Sequence, residues 1–501
     1  MRNIRRIGAI SVAAAVAIVG AVAAPASAQG GASGAVSARM IGASASAAAS
    51  DPGFLELVWE RELTRHKIIT GSPGVATLDS RGPSVIVGTE DGVAIAYHVA
   101  DGSTVPGWPY RTGGTGITST PSTWGSGSKA RVFFGVGHAA APSKGGYLAL
   151  SAKGGKAWYR QVSLLPNGAG GRRGVMSSLA VGNLYSGADV VGGSMGQMQL
   201  AMGVRTGKTI PGFPWLQADT NFSTPAVARI FSSKRDYIIE GGDSTAGRAY
   251  AQTYRNGGHI RILRPTGHKG KKNPNEGLIC QLNTDQVVQS SPAVGRFLAN
   301  EGMGVVVGTG TYYKRASTTN RIIAMDTKCR KRWTAKLDAD TRTSPALADV
   351  QGDGRLDVVV TSSRSTVSAL NGANGHTIWK RKLDAGTLGS VSTFQAPGAS
   401  FQYVLSANKS GLTVLDGRDG SIVTRIGGIS LMNTATVTAD PDGSIGITVA
   451  GTKTVKGKVN GYVKHYRVVG SSGVETVQTP GAWPMFHHDP QLTGFSEQRL
   501  P

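Results

Sequence analysis

The sequence predicts an all-β fold: an eight-bladed β-propeller of four-stranded antiparallel blades, closed by an N-terminal strand. Seven blades is the alternative. Three observations carry this. One unit returns roughly every 42–66 residues, the range where propellers and solenoids fall. Within the units, the segments Val85–Tyr97, Val190–Met202, Val358–Leu370 and Tyr403–Leu415 align without gaps, each reading as strand, polar turn, strand. Composition agrees, because Gly 71 and Pro 22 of 501 residues make a turn-rich chain, and only 17% charged residues leave little for long solvated helices. A helical bundle, a coiled coil, a polytopic membrane protein and a mostly disordered chain are excluded on the same grounds.

In chain order, residues 1–28 read as a secretory signal peptide. Arg2, Arg5 and Arg6 form the positive end, Ile7 to Ala24 the apolar run, and Ala26-Ser27-Ala28 a small-residue cleavage site. An uncleaved anchor is the competing reading, since that run could just span a bilayer. Arg5-Arg6 leaves Sec and twin-arginine export both open. The expected protein is secreted or cell-envelope associated, and not integral to the membrane. Residues 29–54 are rich in Gly, Ala and Ser and predict a flexible spacer.

Residues 55–468 carry the propeller. Each unit opens on a small hydroxyl-bearing step: Ser72-Pro73, Thr120-Pro121, Ser177-Ser178, Ser223-Thr224-Pro225, Ser291-Pro292 and Ser344-Pro345. Ser392-Thr393 and Thr434 are degenerate openings of the seventh and eighth units. These steps are expected to line the narrow centre. Outer strands carry Trp with Leu four residues on, as in Trp333 to Leu337 and Trp379 to Leu383. Trp59 to Leu63 shows that pattern before the first full unit, so the N-terminal strand is expected to complete the last blade and remove its open edge. Residues 469–501 form a C-terminal closing segment.

Ala369-Leu370-Asn371-Gly372-Ala373-Asn374-Gly375 followed by Trp379 resembles the A-x-D-x-x-x-G-x-x-x-W docking repeat of quinoprotein-like (PQQ-like repeat) propellers. Ala324-Met325-Asp326 with Trp333 is a version one residue shorter. Val105-Pro106-Gly107-Trp108-Pro109 and Ile210-Pro211-Gly212-Phe213-Pro214 resemble turns of FG-GAP/VCBS-type repeats. The tail from Trp483 to Gly494 is similar to the W-P-M-F-x-x-D-x-x-x-T-G segment of such secreted propellers. The resemblance implies a fold and a secreted habit, and no single activity.

Candidate chemistry is sparse. Asp349, Gln351, Asp353, Arg355 (through its carbonyl) and Asp357 form a glycine-containing acidic loop, the type that supplies oxygens to one structural Ca²⁺. An ordinary polar turn is the alternative. Gly192-Gly193-Ser194-Met195-Gly196 matches a hydrolase elbow motif but falls on a strand–strand turn. His487-His488-Asp489 is read as packing or surface, because adjacent side chains rarely converge on one metal. Cys280 and Cys329 lie in an exported chain, where a disulfide is expected; two buried thiols is the alternative. Quinone-dependent relatives carry adjacent cysteines, which this chain lacks, so no quinone is expected.

Lys+Arg 53 against Asp+Glu 30 gives a net charge of +23. The clusters Lys328 to Arg332 and Lys380-Arg381-Lys382 should lie on the propeller rim, and Lys269 to Lys272 in a loop. Such charge either keeps strand edges apart or attracts a polyanion. The reading is a monomeric, non-catalytic binding or scaffold module for a protein or an anionic envelope polymer, with no nucleic acid expected. A lectin-like carbohydrate binder is one alternative; a quinone-dependent oxidoreductase or polysaccharide-cleaving enzyme is the other. Arg248 to Gly277 and Gly310 to Asn320 are expected to be functional loop insertions.

Overall fold

The computed structural model describes residues 53–497, apart from 139–140, 163–171, 186, 218–220, 232–233, 244–256, 267–276, 315, 474–476 and 478. Eight four-stranded antiparallel sheets follow one another as the blades of a β-propeller. Blade 1 spans residues 74–111, blade 2 122–161, blade 3 180–216 and blade 4 226–283. Blade 5 spans 293–336, blade 6 346–382 and blade 7 392–426. Blade 8 takes Thr436–Ala439, Ile445–Val455 and Lys458–Val468, with Leu55–Leu63 as its outermost strand. The N-terminal strand pairs Trp59 with His465 and Leu63 with Gly461, so both ends of the chain close one blade. No helix among the described residues is long and apolar enough to cross a membrane.

The strand sequences follow from where each strand sits. Inner strands are buried on both faces between neighbouring blades, so they read as unbroken apolar runs such as Val85-Ile86-Val87 and Val358-Val359-Val360. Outer strands alternate instead. Only Trp333 is fully buried in Lys331–Lys336, and only Trp379 in Thr377–Lys382.

Those tryptophans join the blades. Trp333 pairs with Ala324 beside a β-bulge, and Trp379 with Ala369 beside the equivalent bulge. Each indole N–H then donates to a carbonyl on the next blade: Trp333 to Gly372 at 2.8 Å and Trp379 to Gly417 at 2.6 Å. Trp59, Trp108 and Trp158 do the same to Val99, Ala152 and Val204. The rings lie flat on turns that need glycine. Gly375 has φ +76° and Gly420 φ +69°, and a Cβ on either would meet the Trp333 or Trp379 ring at 2.5 Å.

Blade 4 has Cys280 at this position, paired with Ile262 beside its own bulge. Cys280 is bonded to Cys329 of blade 5, with Cα atoms 5.8 Å apart. Cys329 has φ +56°, on the turn that corresponds to the one bearing Gly375. A covalent link therefore stands where the seam between blades 5 and 6 uses tryptophan on glycine.

Three expectations are corrected. Arg248 to Gly277 is not one loop, because Gly258–Leu263 within it is the third strand of blade 4, driven by the apolar residues Ile260, Ile262 and Leu263. The rest of that segment lies largely outside the described residues, as does Lys269 to Lys272. The blade 7 hairpin is one residue tighter than the alignment implied: Val404, not Tyr403, faces Leu415, because Asn408 and Gly411 close a short turn. The seventh opening begins at Ser390, upstream of Ser392, for a reason that lies in the channel.

Candidate functional site

At the propeller axis, one hydroxyl from each blade joins a closed circuit. The backbone N–H of Ser72 donates to Thr120 Oγ1 at 3.0 Å, Thr120 to Ser178 at 2.9 Å, and Ser178 to Thr224 at 3.1 Å. Thr224 donates to Ser291 at 3.0 Å, Ser291 to Ser344 at 2.9 Å, and Ser344 to Ser390 at 2.8 Å. Ser390 donates to Thr434 at 3.1 Å, and Thr434 returns to Ser72 at 3.0 Å. The circuit explains the repeated Ser/Thr. Each hydroxyl caps the free N–H of the preceding blade's entry turn, a group that would otherwise be buried unpaired. Ser390, not Ser392 or Thr393, supplies the seventh link.

The C-terminal segment threads the same axis. Carbonyls of Gly481, Trp483, Pro484, Pro490, Gln491, Thr493 and Gly494 accept N–H groups from blades 6, 7, 8, 2, 3, 4 and 5 in turn. The tail thus winds once around the channel and pairs inner strand edges. Its motif spacing has a mechanical reason: Asp489 accepts the Thr493 N–H at 3.0 Å and the Thr493 hydroxyl, pinching the turn. His487 is buried inside it, with Nδ1 2.6 Å from the Leu492 carbonyl and Nε2 3.0 Å from that of Pro292. Burial pushes its pKa down to about 4, although both carbonyls and Asp489 pull the other way. His488 contacts Asp489 at 3.1 Å.

Above the tail, the circuit opens into a cup of about 160 Å³. All eight circuit hydroxyls line it, Phe486 reaches it from the tail, and Met176, Phe222 and Leu388 stand on its wall. Arg342 lines it too, 3.1 Å from Asp340.

The acidic loop of blade 6 is folded as a self-capped turn. Asp349 accepts the N–H groups of Gly352, Asp353 and Gly354 at 2.7, 3.1 and 3.0 Å, and Asp353 accepts that of Arg355 at 3.0 Å. Gln351, Asp353 and Arg355 are exposed. Asp357 lies inside, at the start of a strand, with Oδ2 lacking a hydrogen-bond partner. It borders a cavity of about 370 Å³ between blades 5 and 6, shared with Arg296, Glu301 and Asn371. Burial, then the charges of Asp353 and Asp349, push its pKa up to about 8. Among the described residues, no three Asp, Glu, His or Cys side chains are grouped so that they could hold a metal ion. The charges of Asp349 and Asp353 thus reach Asp357 from the loop, while the side chains of Gln351 and Arg355 are exposed on it.

A second polar cluster was not legible in the sequence. Between blades 3 and 4, Glu240 and Arg261 are paired across the ladder with no solvent exposure, Nη1 to Oε1 at 3.0 Å. Gln217 donates to the other Glu240 oxygen at 2.7 Å, and Arg261 also reaches the Gln217 carbonyl and the Gln281 amide oxygen. His259 lies 3.4 Å from Glu240, and burial together with Arg261 pushes its pKa down to about 4. In blades 1 and 5 the matching pairs are Val87–Ile95 and Val307–Ile323. The available signal was charged residues inside the otherwise apolar strands Tyr237–Asp243 and Gly258–Leu263.

Ser194 sits in the turn between two strands of blade 3 and donates to the Met198 carbonyl at 2.7 Å. The insertion Gly310 to Asn320 folds back on blade 4: Tyr313 donates its hydroxyl to Asp243 at 2.6 Å and its N–H to Gln286 at 2.9 Å.

Comparison with known proteins adds to this geometry. Residues 275–434 match the family described as outer membrane protein assembly factor BamB. The chain is an eight-bladed β-propeller, and this stretch of it is similar to that family. The matched stretch runs from the outer strand of blade 4 through blade 7 and includes the Trp333 and Trp379 docks. Among solved structures, the ring is similar to BamB from Moraxella catarrhalis, at 17% identity and a TM-score of 0.51, covering 82% of this chain and 97% of that one. It is also similar to Sqt1 of Saccharomyces cerevisiae, at 10% identity and a TM-score of 0.56, covering 82% and 99%. At these identities the likeness is one of fold. No curated protein sequence matches the chain.

Proposed function

We propose that the chain is exported and works as a non-catalytic binding or scaffold module that holds a protein partner around the channel mouth. The observation that supports this is the double closure of the ring. A circuit of eight hydroxyls and the threaded tail fix the blades to one another, which makes a platform whose loops keep a constant spacing. Rigid scaffolds that present loops are the common architecture for recognition. Photo-crosslinking residues placed at Phe222 and Leu388, on the mouth, and at Lys380, on the rim, test it in cells that make the protein. Discrete protein adducts from the mouth but not from the rim are expected. Adducts from neither position would sink the reading.

Contact with an anionic envelope polymer is the second reading, favoured by the +23 net charge. Part of that charge is already engaged: Arg61, Arg160 and Arg381 each donate Nε to a glycine carbonyl on the next blade. Co-sedimentation with acidic and neutral wall polymers across a salt series separates the two, because polymer contact through charge is lost at high salt. One structural Ca²⁺ at Asp349, Gln351, Asp353, Arg355 and Asp357 is proposed on the buried, unpartnered Asp357 oxygen. A Ca²⁺-dependent rise in melting temperature that Asp357→Asn abolishes would support it; no shift in the parent protein would refute it.

A further inference from the structure

The positive charge of the rim is unevenly spread around the ring. In blades 5 and 6, the turn into the outer strand and the strand itself (326–336 and 371–382) carry eight Lys and Arg and one carboxylate, Asp326. The matching segments of blades 7 and 8 (416–426 and 55–63) carry three cations and five carboxylates. Charge of either sign keeps an open strand edge from pairing with another, so edge protection does not account for a sign that changes along the ring. Much of the guanidinium charge is engaged within the patch. Arg330 and Arg332 lie 2.8 and 3.6 Å from Asp326, and Arg381 donates Nε to the Gly420 carbonyl at 2.7 Å. Lys382 donates to the Arg364 carbonyl at 2.7 Å. Lys328, Lys331, Lys336 and Lys380 are exposed, and their ammonium groups have no partner among the described residues. Asp338 and Asp384, just past the two outer strands, bound the patch. Asp338 accepts the Thr366 hydroxyl at 2.7 Å, and Asp384 lies 3.7 Å from Arg425 of blade 7. The two edges are tied together, because the Trp333 indole bonds Gly372 of blade 6, and Ala335 and Ile378 pack against one apolar cluster. Four unpaired ammonium groups thus stand over two adjacent blades that are fixed to one another.

We propose that this outer edge of blades 5 and 6 is a docking surface for a linear phosphodiester polymer of the cell envelope. The inference rests on the anionic-polymer reading above and gives it a place and a chemistry. The unpaired groups are all Lys, and that sets the chemistry. An ammonium is a compact point charge that meets a phosphate from any side, whereas carboxylate recognition draws on the planar, two-pronged fit of Arg. A flexible chain can also follow the convex rim across both blades. A membrane surface fits less well. The exposed large apolar side chains, such as Leu57, Tyr159 and Phe231, belong to blades 8, 2 and 4, and none stands on these two edges to anchor in lipid.

Fluorescence anisotropy of end-labelled poly(glycerol phosphate) chains, titrated with the purified protein across a salt series, tests it. Unlabelled polyglutamate of matched charge and vesicles of anionic phospholipid serve as competitors. The rim variant combines Lys328→Gln, Lys331→Gln, Lys336→Gln and Lys380→Gln. Its control combines Lys153→Gln, Lys156→Gln, Lys453→Gln and Lys458→Gln, which removes the same charge from exposed positions of blades 2 and 8. The parent is expected to bind the phosphate chain at low salt and release it as salt rises. The rim variant should bind about tenfold or more weakly, with a shallower salt dependence, and the control within about twofold of the parent. Melting curves check that both variants are folded. Binding that the two variants lose equally leaves the polymer reading standing and overturns its placement on blades 5 and 6. No binding by the parent at low salt removes both. Polyglutamate or vesicles that compete as well as the unlabelled phosphate chain overturn the phosphodiester assignment.

Discussion

Cys280 holds, in blade 4, the ladder position that Trp333 holds in blade 5, and its sulfur is bonded to Cys329 on the turn that a tryptophan would otherwise cover. Cys280 even faces the matching carbonyl, with Sγ 3.7 Å from Thr327 O. The seam between blades 4 and 5 is thus covalent where that between blades 5 and 6 relies on aromatic packing. Loop closure over a sequence separation of 49 corresponds to about 4 kcal/mol in the chain-entropy picture. Reduction, or Cys280→Ser with Cys329→Ser, should lower the thermal midpoint. Cys280→Trp with Cys329→Gly should recover part of the loss by restoring the tryptophan-on-glycine dock. Melting curves of the two double variants decide it; equal midpoints would mean the seam does not use the shared geometry.

The docks themselves can be tested from either side. Trp333→Ala removes a buried ring and its indole hydrogen bond and should cost about 3–5 kcal/mol. Gly375→Ala puts a methyl group into that ring at a positive φ and should also destabilise, by about 1 kcal/mol or more. Combining the two should cost less than their sum, because the clash disappears with the ring. Urea unfolding of the single and double variants measures the coupling.

The buried Glu240–Arg261 pair makes an asymmetric prediction. Glu240→Ala leaves a guanidinium uncompensated inside the seam and should cost about 3–5 kcal/mol. Glu240→Val with Arg261→Ile copies the Val87–Ile95 pair of blade 1 and should come out near neutral or more stable. A double variant as unstable as the single one would show that Gln217, His259 and Gln281 need the charges more than the packing needs relief.

Acid should loosen the closure. His487 and His259 are both held near pKa 4 when folded, against about 6.5 in an unfolded chain. The unfolded state binds more protons between those values, so this stability is full above about pH 6.5 and is lost as pH falls toward 4. His487→Asn keeps an amide donor and tolerates a positive φ. It should be less stable at neutral pH, with a shallower fall of midpoint across that window. A slope identical to the parent's would assign the acid sensitivity elsewhere.

The sequence by itself determined the strands, the repeat and the way blades meet. Those features are local: a β-branched run between turns, a Trp facing out of a polar strand, a glycine where a ring must lie flat. Trp59 was readable as the closing strand because it repeats the pattern of Trp379. The buried ion pair of blade 4 was not readable, since Glu240 and Arg261 look like ordinary polar residues until their strands are paired and the neighbouring blade covers them. Cys280 could be named as half of a disulfide, but not as the substitute for a tryptophan, because that equivalence rests on a shared bulge. The hydroxyl circuit was decided by tertiary structure alone. Its links join residues from different blades, the last of them Thr434 to Ser72 across 362 positions of chain. A hydroxyl that caps a distant N–H leaves no periodic mark beyond being small and polar. Only closing the ring brings the eighth hydroxyl to the first, and only then does a row of Ser and Thr become a closed circuit of acceptors.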